Sequence, residues 1–298
     1  MNIRLASAPV SWGIFEFEGM EPRFPWAQVL DEIAETGYVG TELGPYGYLP
    51  TDPSQLRGEL EKRGLQMLSA FVPVDLVNPE AHAAGVETAL QVGRLLKALD
   101  APMLVLADNN GSVSELVQQA GRRRKTYLHD WKNLAEGVEL VRRTVAEELG
   151  LTTVFHHHCA GHVETPEEVD ALLERTQVQL CLDTGHWHYA GGDALECLKR
   201  WGSRVGYLHF KDCQREIAED CRKRGLDYFA AVKAGVFCPL GEGEVDFPGL
   251  LAELSRQGYD GWAVVEQDVL VDDLEAPRRF SQQNRDYLQN LGLTKGTL

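Results

Sequence analysis

Eight short apolar runs, each followed by an amphipathic stretch, leave this chain few ways to fold. The runs are rich in β-forming residues: "IRLASAP" (3–9), "YVGTEL" (38–43), "QMLSAFV" (66–72), "PMLVLAD" (102–108), "TTVFHHH" (152–158), "VQLCLDT" (178–184), "VGYLHFK" (205–211) and "WAVVEQD" (262–268). Between them lie stretches with helical spacing, among them "PWAQVLDEIAETG", "GVETALQVGRLLKAL", "KNLAEGVELVRRTVAEELG", "TPEEVDALLERT" and "DFPGLLAELSRQG". Glycines at 37, 64, 150, 202, 258 and 292 stand where helices stop, and "TDPSQ" near Thr51 and "TPEE" at Thr165 carry the start signals of helices. Strand and helix alternating eight times over 298 residues predicts an α/β protein, a (β/α)₈ TIM barrel. A doubly wound sheet wants a glycine-rich phosphate turn after an early strand, and "APVSWGIFEFEG" is not one. One insertion interrupts the pattern after strand seven, residues 212–244. A loop of that length predicts a lid over the mouth or an interface in a homo-oligomer. The expected organisation is a single TIM-barrel domain over 1–298, with 293–298 as a flexible tail.

Charge narrows the partners. The chain has 29 Lys and Arg against 45 Asp and Glu, a formal net charge of −16. Such a surface repels phosphate backbones and anionic lipid, so neither nucleic acid nor membrane is an expected partner. "MNIRLASAPVSWG" lacks the apolar run of a signal peptide, and no stretch approaches the roughly 18 apolar residues of a span. Six scattered cysteines without a CxxC pair read as reduced thiols, and a cytoplasmic location follows as the expectation.

In such a barrel the chemistry gathers at the C-terminal ends of the strands. Those ends carry Glu42, the run His156, His157 and His158, then Asp183 followed by His186, then His209 and Lys211, and finally Glu266. Polar residues on buried strands are costly unless they are paired or bind a metal. His156 and Asp183 are 27 residues apart and Asp183 and His209 are 26, each close to one βα unit. His209 and Glu266 are 57 apart, one unit plus the insertion. The spacing puts His156, Asp183, His209 and Glu266 at one height on strands five to eight. Two imidazoles and two carboxylates suit a borderline divalent ion such as Mn²⁺, Co²⁺ or Zn²⁺. Alternation sets His156 and His158 on one face and His157 on the other, and His156 shares the depth of the other three. Strand ends admit bulges, so the choice of ligand within the run stays open at this point.

"LDTGH", "LHFKD" and "VVEQD" resemble the metal-binding strands of the xylose-isomerase-like barrels. In the sugar epimerases of that group strand five brings a Glu followed by a proline, and here the histidine run takes that place. Together with "APVSWG", "ELGPYGYLP", "FHHHCAGHVET", "CLDTGHWHYAGGD", "HFKDC" and "GVFCPLGEGEVDFPGLL", the chain is similar to the inosose (2-keto-myo-inositol) dehydratases, from about residue 6 to 268. The resemblance implies a Mn²⁺- or Co²⁺-dependent hydro-lyase that acts on a cyclic polyol ketone in inositol catabolism. It would remove water from the ketone to give a trihydroxycyclohexane-dione.

Removing water from the carbon β to a ketone requires loss of an α-proton, stabilisation of an enediolate and protonation of the departing hydroxide. His158 and His186 are the candidates for proton transfer, and Lys211 for the oxyanion. Glu42, Trp12, Tyr46 and Trp187 are the candidates for contact with the substrate, the aromatics as walls stacked on a ring face. Two other readings belong beside this one: a ketose epimerase or isomerase on the same barrel, and a barrel that binds a polyol without turning it over.

Overall fold

The computed structural model describes residues 2–17, 19–108, 113–122, 130–270 and 272–293. Its strands are β1 (Asn2–Ser7), β2 (Gly40–Thr41), β3 (Gln66–Met67), β4 (Phe71–Val74), β5 (Met103–Asp108), β6 (Thr152–His156), β7 (Gln179–Asp183), β8 (Val205–Phe210), β9 (Asp212–Cys213), β10 (Phe237–Cys238) and β11 (Asp260–Val265). Nine of them form one parallel sheet in the order β3-β2-β1-β11-β8-β7-β6-β5-β4. The sheet closes on itself because β3 and β4 are two halves of one run. On one side Leu68 N–H donates to the Thr41 carbonyl and Leu43 N–H to that of Ser69, while on the other Val105 N–H donates to the Ala70 carbonyl. The expected third strand is therefore present, but broken at residues 68–70. Closure satisfies the backbone groups that an open edge would leave bare.

The helices are α1 (Trp26–Glu35), α2 (Pro53–Glu61), α3 (His82–Ala98), α4 (Ser114–Gln119), α5 (Trp131–Leu149), α6 (Pro166–Arg175), α7 (Thr184–Tyr189), α8 (Ala194–Trp201), α9 (Arg215–Arg224), α10 (Tyr228–Lys233), α11 (Phe247–Gln257) and α12 (Ala276–Asn290). None of them is long and apolar enough to cross a membrane. The Thr165 side chain accepts from Glu168 N–H at the start of α6, and the Glu168 carboxylate accepts from Thr165 N–H in return. At the start of α2 it is Asp52, one residue after Thr51, whose carboxylate accepts from Gln55 N–H. Gly150 and Gly258 end α5 and α11 in the left-handed conformation. Gly202 does not act as an expected helix stop of this kind: its φ is −52°, and the chain continues into a 3-10 turn. A Cβ there would lie 2.0 Å from Gln257 Oε1 of α11, so a larger residue would require that side chain to move.

Two apolar layers hold the barrel. The larger lies between strands and helices and includes Leu30, Leu96, Val141, Leu172 and Leu254. A second fills the barrel interior with Ala6, Leu68, Val105, Val154, Cys181, Tyr207 and Val264. β8 is buried on almost every residue, as expected of a strand covered on both faces. A third cluster forms at the mouth, where Tyr228, Val232 and Phe237 of the insertion pack on Phe15, Val117 and Cys159. The insertion is ordered locally by α9, α10 and an antiparallel pairing of β9 with β10. Asp212 fastens its return, accepting from Gly241, Gly243 and Val245 N–H at 2.8, 3.0 and 3.1 Å. Residues 294–298 of the expected tail lie outside the described residues. Leu293, its first residue, is buried, and its carbonyl accepts from Arg285.

Candidate active site

The register of β6, β7 and β8 builds the floor of the mouth. His156 is the last residue of β6 and Asp183 the last of β7, and Asp183 pairs directly with His209 of β8. That pairing depends on a bulge. Leu180 pairs with Val205 but Cys181 pairs with Tyr207, so β8 carries one extra residue, Gly206. A one-residue shift exchanges the two faces of a strand, and here it turns His209 toward Asp183. Glu266 follows β11 directly, and its N–H donates to the Phe210 carbonyl.

The four side chains converge. One donor atom from each of His156, Asp183, His209 and Glu266 lies within 4.8 Å of the others, and all four residues are buried. His156 Nε2 is 3.5 Å from Asp183 Oδ2, and His209 Nδ1 is 3.8 Å from Asp183 Oδ2 and 3.2 Å from Glu266 Oε2. Asp183 divides its oxygens. Oδ1 accepts from His186 N–H at 2.9 Å and caps α7, while Oδ2 faces the two imidazoles and the Lys211 ammonium. Glu42 fixes the ring of His209. His209 Nε2 lies 3.1 Å from Glu42 Oε1, which also accepts from Ser69 Oγ at 2.7 Å. That contact orients the ring so that Nδ1, which has no hydrogen-bond partner, faces the carboxylates. Glu42 lines the cavity, as expected, but it also does this second job, which the sequence reading did not give it.

Cys181 could compete as a third donor beside His156 and His209. It points to the same side as Asp183 but two residues deeper, where burial pushes its thiol up to about 11. At neutral pH it is a protonated thiol behind the imidazoles, and the N₂O₂ set fits a divalent cation better. Burial lowers His156 to about 4, so it stands as a neutral imidazole with a free lone pair. Burial opposes charge on His209 too, but the carboxylates of Glu266 and Glu42 outweigh it and hold that ring well above its usual value.

A second group stands above the first. His158 lies two residues beyond His156, Lys211 two beyond His209 and Asp268 two beyond Glu266, and all line the same cavity. Lys211 Nζ is 2.8 Å from Asp268 Oδ1, 3.0 Å from Asp183 Oδ2, 3.2 Å from Glu266 Oε2 and 3.1 Å from His186 Nε2. Burial disfavours that ammonium, but Asp183, Asp268 and Glu266 more than offset it and keep Lys211 charged. Removing one member of such a buried set costs roughly 3–5 kcal/mol. The backbone of Lys211 is held by Thr184, whose hydroxyl donates to its carbonyl at 2.6 Å and accepts from its N–H at 3.0 Å. A Cβ on Gly185 would lie 2.5 Å from Lys211 Cγ, so only glycine lets the lysine pass. Tyr228 of α10 donates to Asp268 Oδ2 at 2.7 Å and stands 3.3 Å from His158 Nε2. With the tyrosine proton committed to Asp268, the His158 Nε2–H donates to the tyrosine oxygen. The lone pair of His158 then resides on Nδ1, which has no partner. Burial, then the neighbouring imidazoles, lowers His158 well below its usual value.

The other predicted residues fall elsewhere. His157 turns away from the cavity, and its Nε2 accepts from Asp183 N–H at 3.2 Å. His162, the fourth histidine of the sequence run, bonds Asp108 at the end of β5, its Nδ1 2.9 Å from Asp108 Oδ2. Trp12 does not wall the cavity. Its indole turns to the helical layer and donates to Glu32 Oε2 of α1 at 2.6 Å. Trp187 does not either: one helical step after His186 it faces outward and meets the edge of His157 at 5.1 Å. Tyr46 is 43% exposed and lines an outer groove instead of the cavity. The aromatic walls are Phe15, Phe17, Phe71 and Tyr228. Asp268, Tyr228 and Glu16 were not singled out from sequence. Asp268 alone had a signal, the same two-residue alternation from Glu266 that joins His156 to His158.

A family model described as a xylose isomerase-like TIM barrel matches residues 30–291. An inosose dehydratase of Geobacillus kaustophilus is 31% identical over 296 residues, covering 97% of this chain and 94% of its own. One of Lacticaseibacillus casei is 33% identical over 276 residues, covering 90% of each. The chain belongs to the inosose dehydratase family of xylose isomerase-like TIM barrels. A solved structure of the IolI protein with a bound zinc atom matches with a TM-score of 0.69 at 14% identity, covering 99% of this chain and all of that one. At that identity the match speaks to the barrel, and it agrees with the closed sheet described above. Family membership makes this barrel a hydro-lyase. In its mouth a buried N₂O₂ set lies under a layer of titratable side chains.

Proposed function

We propose that this chain removes water from a cyclic polyol ketone of the inosose class, 2-keto-myo-inositol, and releases a trihydroxycyclohexane-dione. The observation that carries the reading is the stacking of two constellations in one mouth, His156, Asp183, His209 and Glu266 below and His158, His186, Lys211 and Asp268 above. The lower set would hold a divalent ion, Mn²⁺ or Co²⁺, which when bound supplies Lewis-acid polarisation of the ketone.

The upper set handles protons. His158 Nδ1 accepts the α-proton as the C–H bond breaks, and Asp268 steadies the resulting imidazolium through Tyr228. The electron pair of that bond forms the carbon–carbon double bond as the β C–O bond breaks. His186 Nε2, which lies 3.4 Å from Asp268 Oδ2, gives its proton to the departing hydroxyl, which leaves as water. Lys211 faces the oxygen on which negative charge gathers. The enol left behind tautomerises to the second ketone. Epimerisation needs a carboxylate on each face of the reacting carbon, and β6 brings imidazoles instead.

The test is incubation of metal-depleted and Mn²⁺- or Co²⁺-reloaded protein with 2-keto-myo-inositol in D₂O, followed by NMR. Metal-dependent appearance of the dione supports the proposal. Deuterium exchange or epimerisation of the ketone without loss of water would overturn it.

A further inference from the structure

The cavity opens outward into a groove, and both are lined by the segment Phe15–Glu16–Phe17 that follows β1. Phe17 lies 5.2 Å from Phe229 and 6.1 Å from Tyr228, so this segment spans the mouth as far as α10. Among the described residues Glu16 is the only charged group of the groove. Inside the cavity it joins Glu42, Glu266 and Asp268, and no arginine lines the cavity among the described residues. In the groove a ring carrying a carboxylate or phosphate would meet Glu16 and no cation among the described residues, whereas an uncharged polyol offers hydroxyls that donate to a carboxylate.

Resting on the hydro-lyase reading of the same site, we propose that Glu16 is the specificity-determining contact at the doorway, binding ring hydroxyls of a neutral cyclitol and excluding anionic rings. Its own chemistry agrees with its position. Burial, then the charges of Glu266, Glu42 and Asp268, raises its pKa well above that of an ordinary glutamate. A place that disfavours ionisation of its own carboxyl disfavours an incoming carboxylate for the same reason.

The experiment compares the Mn²⁺-loaded wild type with Glu16→Gln, Glu16→Ala and Glu16→Lys. It measures metal content, kinetics with 2-keto-myo-inositol, and inhibition by quinate as a carboxylate-bearing ring. Glu16→Ala should raise KM about tenfold while kcat stays within about threefold, the pattern of a lost substrate hydrogen bond. Glu16→Gln, which keeps a side-chain oxygen as acceptor at the same place, should recover most of that loss. Glu16→Lys should bind quinate at least about tenfold more tightly than wild type. Metal content should equal wild type in all three. An unchanged KM in Glu16→Ala together with unchanged quinate exclusion in Glu16→Lys would overturn the proposal, as would a loss of metal in Glu16→Gln. If the wild type turns over no inosose, the hydro-lyase reading fails by itself. The role of Glu16 is then decided by calorimetric titration of the same variants with myo-inositol and quinate, with the same ordering expected.

Discussion

The lower and upper constellations of the mouth lie within one hydrogen-bond length of each other but are built differently. In the lower one every side chain comes from the last residues of a β-strand or the position just after it, and backbone pairing such as Asp183 with His209 sets its place. In the upper one His158 and Asp268 lie past the strands, His186 stands on α7, and Tyr228 reaches in from α10 of the insertion. Lys211 belongs to both, with Asp183 and Glu266 on one side and His186 and Asp268 on the other. The difference teaches which job suits which support. On the proposed reading, a metal set needs fixed distances and would get them from the sheet, whereas groups that exchange protons could stand on connecting segments tied together by hydrogen bonds such as Tyr228 to Asp268.

The sharpest way to break this comparison is to remove a lower carboxylate. Asp183→Asn keeps an oxygen to cap α7 but removes the ligand charge, and Glu266→Gln does the same at β11. Each should abolish stoichiometric metal binding and turnover while the circular dichroism of the barrel at 25 °C stays that of wild type, although the melting temperature falls as the pairing to Lys211 weakens. Full metal content in either variant would dissolve the lower set. The upper set should fail otherwise. His158→Ala is expected to bind metal normally and lose kcat by roughly 10²–10⁴, the usual contribution of a general acid or base. Metal analysis beside turnover at saturating metal separates the two kinds of failure.

A smaller effect tests how the floor is propped. Glu42→Gln keeps the shape but weakens the hold on His209, and metal affinity should fall by about 10–100-fold, as is typical when a partner of a metal-binding histidine is lost. Competition with a chelator would measure it, and an unchanged affinity would return Glu42 to the role of a substrate contact alone.

The pH dependence of the metal-free protein gives the finest contrast. His156, lowered to about 4, binds its proton later in the folded than in the unfolded chain. Its contribution to stability is complete above about 6.5 and is lost as pH falls toward 4, worth about 3 kcal/mol at most. His157 and His158 are lowered by burial in the same sense. His209 is raised, so its contribution is complete below about 6.5 and is lost as pH rises through its folded value. Metal-free protein should therefore be most stable near pH 6.5, with a steep acid limb that His156→Gln makes shallower. Thermal unfolding from pH 4 to 8 checks this, and an acid limb unchanged by His156→Gln would contradict it.

The amino-acid sequence by itself determined the alternation, and hence the barrel. It also determined the depth of His156, Asp183, His209 and Glu266, because a periodic architecture turns equal spacing in the chain into equal height in space. The same period carries His158, Lys211 and Asp268 to the cavity, each two residues past a member of the lower set. What only the tertiary structure decided are the contacts between segments that no local period relates. Tyr228 meets Asp268 across 40 residues, and Glu42 meets His209 across 167. Trp12 and Trp187 show the converse. Each follows a strand end closely enough to suggest a pocket wall, but the turn after β1 and the first turn of α7 rotate them toward the helices, and a bulky indole packs where the apolar layer has room. Periodicity fixes height along a strand. Rotation in the connecting segments, and the partner found on the far side, are set only when the whole barrel has closed.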